Sequence, residues 1–322
     1  MRICIAGGAG YIGSHVVHRL LEAGHQVVVY DNLSTGHRAS VPEAAEFVHG
    51  DVGDPLVARK ALAGCDSMVY LAAWKAAGES MLDPYKYSRN NLMNTLSFLE
   101  AAHEVGVRNV VFSSSAAVFG APVRLPIDED HPKEPENYYG FTKLEIERVL
   151  SWYDRIGGLK SACLRYFNAA GYDPAGRAKG LERNPANLIP VIMEVACGLR
   201  KEAQVFGNDY DTHDGTGVRD YIHVTDLAEA HALALDHLAA GGESFVVNLG
   251  TGKGHSVLDV IRGTESVTGR AVAHRIVGRR PGDPSALWAS GEKARALLGW
   301  VPRHSSLEEI LETTWKAYQA NL

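Results

Sequence analysis

The sequence predicts an α/β protein, a doubly wound parallel sheet with a smaller C-terminal domain, and three observations carry that expectation. Short apolar runs alternate with amphipathic stretches over about the first 170 residues. The first of these runs opens directly into a glycine-rich turn and a helical pattern. After Gly171 the texture changes, with Gly, Pro, Asn and Asp spread through Tyr172–Asn187 and again through Gly207–Gly217, as in long loops that carry ligand contacts more often than core.

Taken in order, Arg2–Ala6, Val27–Tyr30, Ser67–Ala72, Asn109–Ser113 and Ser161–Tyr166 read as strands with helices between them. Their Val/Ile content and their Gly, Asp and Ser flanks favour strand over buried helix. Further on, Tyr221–Val224, a helical Thr225–Leu238 and a strand at Ser244–Leu249 read as a return to the main sheet. The expected division is therefore 1–170, with sheet returns near 219–250, and 171–322. No internal repeat is visible.

Composition excludes several classes. The 32 Lys+Arg against 38 Asp+Glu give a formal charge of -6 without long runs of either sign, which argues against nucleic acid as a partner. No apolar run reaches the roughly 18 to 20 residues needed to cross a bilayer, so no membrane partner and a cytoplasmic location are expected, without a signal peptide. Cys4, Cys65, Cys163 and Cys197 are scattered among apolar neighbours and read as buried, reduced thiols. The 14 histidines show no ligand spacing, and no metal is expected.

The first strand runs into a GxxGxxG turn, Gly7, Gly10 and Gly13, followed by a helical pattern from Tyr11 to Glu22. Glycine permits a tight turn and close approach of a pyrophosphate, and the helix N-terminus supplies free N–H groups. The next strand ends in Asp31, 18 residues beyond Gly13, where a carboxylate accepts adenosine ribose hydroxyls and repels a 2′-phosphate. A Rossmann-type site for NAD, in preference to NADP, is the expectation. Asp51, in Gly50–Asp51–Val52, is placed either to receive an adenine amino group or as a solvated loop acid.

Tyr139 and Lys143 stand four apart at the start of a helical pattern that runs to about Arg155, which puts both on one face. A cation beside the phenol is expected to lower its pKa from near 10 toward the range a neutral-pH base needs. Upstream, Ser113, Ser114 and Ser115 close the strand Asn109–Ser113 at the edge where an α/β sheet presents its chemistry. Ser115 is expected to bond the substrate oxygen, and Ser113 or Ser114 to bond backbone in a turn. Cradle, serine and YxxxK helix jointly imply removal of a hydride and a proton from a secondary alcohol.

With these motifs, the sequence resembles the extended short-chain dehydrogenase/reductases and, within them, the UDP-glucose 4-epimerases, over nearly the whole chain. The segments that carry the resemblance include Lys75–Ser80, Arg165–Asn168, Asn187–Pro190, Phe206–Tyr210 and, most specific, Asp214–Val224. The resemblance implies a catalytic set of Ser115, Tyr139 and Lys143. It implies that Gly7, Gly10, Tyr11, Ile12, Asp31, Asn32, Asp51, Val52, Leu71, Ala72, Lys75, Asn90 and Tyr166, with Tyr139 and Lys143, hold NAD. A UDP-hexose would be held by Asn168, Asn187, Leu188, Phe206, Arg219, Tyr221, Arg280 and Asp283 together with Ser115 and Tyr139, since guanidinium groups suit diphosphates. Leu287 falls where hexose-restricted relatives carry Tyr, so slower action on UDP-N-acetylhexosamines is expected. A homodimer is also implied, pairing the helical patterns Asn91–Val105 and Tyr138–Tyr153.

The chain departs from the commonest pattern at Tyr70, at Met93–Asn94–Thr95, at Tyr138 and at Phe119, where many relatives have Tyr. A 4,6-dehydratase is disfavoured because Ala116 and Ala117 follow Ser115 where those relatives carry an Asp-Glu pair. A sugar decarboxylase is less favoured, a pentose 4-epimerase stays open, and a non-catalytic NAD-binding sensor is opposed by the retained Tyr139 and Lys143.

Overall fold

The structure, a computed structural model, describes residues 1–182, 185–280 and 282–322. Its centre is a seven-stranded sheet in the order β3-β2-β1-β4-β5-β6 with Phe245–Leu249 outside β6, the numbered strands being β1 (Arg2–Ala6), β2 (Gln26–Asp31), β3 (Glu46–His49), β4 (Ser67–Tyr70), β5 (Asn109–Ser113) and β6 (Lys160–Tyr166). Every neighbouring pair is parallel. The chain reverses its direction of travel across the sheet between β1 and β4, the switch point at which open α/β sheets bind ligands.

Side-chain alternation accounts for the two layers. Ile3, Ile5, Val27 and Val29 enter one apolar cluster, and Cys4, Val28 and Tyr30 enter another. Successive residues of a strand face opposite sides, so both faces must be covered. Helix α1 (Tyr11–Glu22) and helix Val224–Ala239 cover the first face through Val16, Val17, Leu20, Leu227 and Leu235. Helices Pro55–Leu62, Thr95–Glu104 and Tyr138–Gly157 cover the second through Ala58, Leu62, Phe98, Leu99, Ile146 and Leu150.

One expectation about the sheet is corrected. Phe245–Leu249 joins it, but Tyr221–His223 pairs in parallel with Asn168–Ala170 in a separate two-stranded sheet. The reason is geometric: Phe245–Leu249 occupies the edge of β6 from Ala162 to Tyr166, leaving only the chain beyond Phe167 for another strand. The later residues gather around a third cluster that includes Ile189, Ile192, Met193, Val205, Val260, Ile261, Ile310 and Leu311. Val218–Arg219 lies between His255–Ser256 and Ala286–Leu287, so three segments distant in sequence meet in one small sheet. Cys4, Cys65 and Cys163 are buried and Cys197 half-buried, all as free thiols. Among the described residues no helix is long and apolar enough to cross a membrane.

Several buried ionisable groups link this fold to pH. Burial lowers His15 to about 4, His223 to about 3 and His231 to about 4. Their rings bond neutral partners: His15 with Tyr11 O, His223 with Thr313 Oγ1 and His231 with Leu227 O. Unfolding exposes these histidines to protonation below about 6.5, a gain for the unfolded chain of about 1.4 kcal/mol per pH unit each. Asp220, pushed up to about 7 by burial, opposes them, because it keeps in the fold a proton that the unfolded chain gives up. Three histidines against one aspartate leave the unfolded state with more bound protons between about pH 4 and 6.5. The urea midpoint should therefore fall on going from pH 6.5 to pH 5; a midpoint that stays level or rises would contradict this assignment.

Candidate functional site

The glycine turn is built by the absence of side chains. A Cβ on Gly7, whose φ is 83°, would lie 2.9 Å from Ala72 N, and one on Gly13 would lie 2.1 Å from Gly7 O. The turn after β1 thus closes against the end of β4 with no room for a methyl group. No side chain caps α1, whose N-cap is Gly10, so its first N–H groups stay available to a ligand. These features border a cavity of about 710 Å³.

At the end of β2, Asp31 takes N–H bonds from Ala9 (2.9 Å) and from Leu33 (2.8 Å). Leu33 adopts φ 58°, left-handed for a branched residue, and that turn aims its N–H at the carboxylate. Burial raises the Asp31 pKa, and the two N–H bonds oppose the rise. Asp31 borders the cavity with Gly7, Gly10, Tyr11, Ile12, Asn32, Val52, Leu71, Ala72, Lys75, Asn90, Tyr139, Lys143 and Tyr166. Asp51 does not border it. Its exposed carboxylate accepts from Asn32 Nδ2, Gly53 N and Asn94 Nδ2, and Asn32, Gly50 and Val52 beside it line the wall.

The Tyr139 end of the cavity depends on a second close approach. Asn137 caps the helix Tyr138–Gly157 by accepting from Gly140 N at 2.9 Å. A Cβ on Gly140 would fall 2.2 Å from Ala117 O, so glycine here lets the helix start lie on the turn that follows Ser115. Tyr139 N is anchored on Ser80 Oγ at 3.0 Å. One turn along, Lys143 is buried and donates to Ser113 O at 2.7 Å, with its Nζ 5.9 Å from the centre of the Tyr139 ring.

Two expectations are corrected here. Burial pushes the Tyr139 phenol up while a hydrogen bond with Ser115 pulls it down, and Lys143 is not the dominant influence. Burial also lowers Lys143 to about 7. The phenol and the ammonium are therefore buried together, and desolvation is the largest influence on each. The serine expectation is corrected in one part: Ser113 Oγ bonds Tyr166 OH and Ser114 Oγ donates to Glu147, so both meet side chains and not backbone, while Ser115 Oγ accepts from Ala117 N at 3.2 Å and lies beside the Tyr139 phenol. Strand alternation explains this, since Ser113 and Ser114 point to opposite faces of the sheet and meet different side chains.

Of the residues expected to hold the nucleotide sugar, Tyr139 borders this cavity and the others lie outside its lining. Asn168 bonds Asp220 O through its side chain at 2.9 Å, and Tyr221 is buried in the neighbouring strand. Arg219 pairs with Asp283 and also donates to Val218 O and Pro284 O. Arg280 is exposed, its guanidinium 3.6 Å from the centre of the Phe206 ring. Arg280 and Asp283 border a second, more open cavity of about 480 Å³. Asn187 is exposed at the start of helix Leu188–Ala196, while Leu188 packs on the core beneath. Leu287 packs against the cluster of Val118, Phe119, Ile127 and Leu144.

Sequence reasoning missed several wall residues. Ser34, Thr35, His37, Trp74 and the segment Ala178–Glu182 border the larger cavity. That segment is tied across the site by Ser40 Oγ to Lys179 O, by His37 to Leu181 O and by a Lys75–Glu182 ion pair. Its loop composition was visible, but its landing place was not. The Asn90 wall is a π-helical turn, Ser88–Asn94, whose Asn91 side chain brackets Trp74 by bonding both its N–H and its C=O. His213, Asp214 and Asp259 also come together, but Arg262, Ser256 and Thr216 already occupy the carboxylates.

Comparison with known proteins gives this geometry its context. Residues 3–250 match the model of the NAD dependent epimerase/dehydratase family, and the chain belongs to that family. It is similar to the UDP-glucose 4-epimerase of Lacticaseibacillus casei, 45% identical over 322 residues, 99% of this chain and 97% of that protein. The crystal structure of UDP-glucose 4-epimerase from Brucella ovis in complex with NAD superposes with a TM-score of 0.96 at 42% identity, covering 98% of both chains. The UDP-Glc/GlcNAc 4-epimerase of Campylobacter jejuni superposes with a TM-score of 0.87 at 37% identity, covering 99% of both chains.

Proposed function

We propose that this chain interconverts UDP-glucose and UDP-galactose by inverting the hydroxyl at C4, using NAD held in the larger cavity. The observation that carries the reading is the placement of Tyr139 and Lys143 on the wall of the same cavity as the glycine turn and Asp31. The site fits a dinucleotide: a turn closed to any Cβ, an uncapped helix start and a carboxylate at the end of β2. NAD, when bound there, supplies the capacity to take the C4 hydride and return it. Gly7, Gly10 and α1 would hold its pyrophosphate, Asp31 its adenosine ribose and Lys143 its nicotinamide ribose.

Within that arrangement Tyr139 as phenolate takes the proton of the sugar 4-hydroxyl, and Ser115 donates to the same oxygen and stabilises it. Lys143 holds the phenolate by its charge. Arg219, Arg280, Asn168, Asn187, Leu188, Phe206, Tyr221 and Asp283 anchor the nucleotide, so the 4-keto sugar can turn its opposite face inward without leaving. Tyr139 then returns the proton to the inverted oxygen. The chemistry is housed mainly in the residues before 170, and the nucleotide sugar mainly in those after.

Tyr139→Phe should lower kcat by about 10² to 10⁴ and leave UDP-galactose affinity near that of the wild type. Coupled assay and calorimetry on the same preparations test this, and near-normal turnover would remove Tyr139 from the role of base.

Leu287 sits in register with Arg219, packed beside Phe119 and Leu144. A Leu in place of Tyr leaves space for an acetamido group, so UDP-N-acetylgalactosamine should be a slower substrate than UDP-galactose by about 10- to 200-fold. Leu287→Tyr should widen that gap. If kcat/KM for both sugars keeps the same ratio in the variant, the selectivity lies elsewhere.

A homodimer is supported by exposed apolar side chains on adjoining helices: Met81, Leu82 and Tyr85 on one side, Phe141, Trp152 and Ile156 along one stripe of Tyr138–Gly157 on the other. The occupant of this face is a second copy of the chain. Light scattering at micromolar concentration should give twice the chain mass, and Trp152→Glu should shift it toward the monomer; a monomeric wild type refutes the pairing.

A further inference from the structure

Among the described residues, Lys143 is the one buried lysine, Arg165 the one buried arginine and Glu147 the one buried glutamate, and they form one cluster. Glu147 stands one helical turn beyond Lys143, as Lys143 stands beyond Tyr139, so all three share a face of the helix. The Glu147 carboxylate accepts from Arg165 Nε at 2.9 Å, from Arg165 Nη2 and from Ser114 Oγ. The third guanidinium nitrogen, Arg165 Nη1, has no partner, and the guanidinium lies 5.0 Å from the centre of the Phe119 ring.

A buried ion pair is on average no more stabilising than apolar side chains of the same volume, so stability alone gives little reason for this cluster. Its position gives a better one. Lys143 has a single hydrogen-bond acceptor in the fold, Ser113 O, and otherwise faces the rings of Phe112 and Tyr139. A charged ammonium in such surroundings needs a nearby carboxylate.

We propose that Glu147, clamped by Arg165 and Ser114, is a positioning residue that keeps Lys143 charged inside the fold, and through Lys143 keeps Tyr139 available as phenolate. This rests on the reading of Tyr139 as the base. Burial is the largest influence on Lys143 and lowers it; Glu147 is the largest one that raises it, with Cys163 of β6 second. The other ionisable groups facing the cluster are Tyr166 of β6, Tyr87 of the short helix Pro84–Tyr87, which approaches Tyr139, and Lys133 of the preceding loop, which is repelled by Arg165. Phe112 and Ser113 of β5 bring no charge. Glu79 is engaged with Lys86 and Tyr87.

The test uses the NAD-loaded protein and follows tyrosinate by its ultraviolet absorbance, taking wild type minus Tyr139→Phe to isolate Tyr139. Glu147→Gln should raise the midpoint by about one pH unit or more and reduce kcat about tenfold or more at neutral pH with little change in KM. Glu147→Asp should restore most of both. If Glu147→Gln does not fold, Glu147→Gln/Arg165→Met removes the uncompensated guanidinium and should still raise the midpoint by about half a unit or more, because the carboxylate is the member of the pair that acts on Lys143. A folded variant with a lower melting temperature but an unmoved midpoint and an unmoved pH profile gives Glu147 a structural role only and overturns the proposal. A wild type whose activity does not follow the Tyr139 titration removes the Tyr139 reading and this proposal together; a wild type whose activity follows it beside an unmoved variant removes this proposal alone.

Discussion

The closure of the β1 turn on the end of β4 is the constraint from which the rest follows. Gly7 and Gly13 leave no room for a Cβ, so Leu71 and Ala72 come into contact with the glycine turn. That contact fixes the floor of the cavity at the point where the parallel sheet changes its direction of winding. Strand order alone would place a cleft there. The missing methyl groups make it narrow, lined by backbone, and bordered by a helix start with free N–H groups.

A second contact of the same kind, Gly140 against Ala117 O, brings the helix with Tyr139 onto the turn after Ser115. Glycine inside a helix is unfavourable by about 1 kcal/mol relative to alanine, and that cost marks a place where close approach matters more than helix propensity. The two contacts act along the same edge of the sheet. One sets the wall beside β1 and the other the wall beside β5, and Lys143, bonded to the last carbonyl of β5, spans the space between helix and sheet.

Much of this was legible in the sequence because it rests on local pattern. β1, β5 and α1 fall on the residues that periodicity and flanks assign to them, and the YxxxK spacing puts Tyr139 and Lys143 on one face. What was not legible depends on long-range pairing or on desolvation. Tyr221–His223 is a strand by composition, but only the occupied edge of β6 sends it to Asn168–Ala170. Asp51 follows β3, and its partners Asn32 and Asn94, distant in sequence, could not be named from the sequence. A Tyr and a Lys at helical spacing suggest an ion-pair effect; that burial outweighs it appears only when the surroundings of both are known.

The later half of the chain shows why its contacts were the hardest to place. Arg219 lies in a two-residue strand held between His255–Ser256 and Ala286–Leu287, and neither segment announces itself as a strand. The register nonetheless has a consequence for the proposed chemistry. Leu287 is the direct strand partner of Arg219, and Asp283, a few residues before it, pairs with the Arg219 guanidinium. The group proposed to grip the nucleotide and the group proposed to face the sugar are thus parts of one ladder. A slip of one residue would turn Leu287 to the opposite face of the small sheet and separate Arg219 from Asp283 together. Sugar selectivity and nucleotide anchoring are mechanically coupled here, so a substitution at Leu287 that disturbs backbone pairing would act on both, whereas one that changes only side-chain volume would act on the sugar alone.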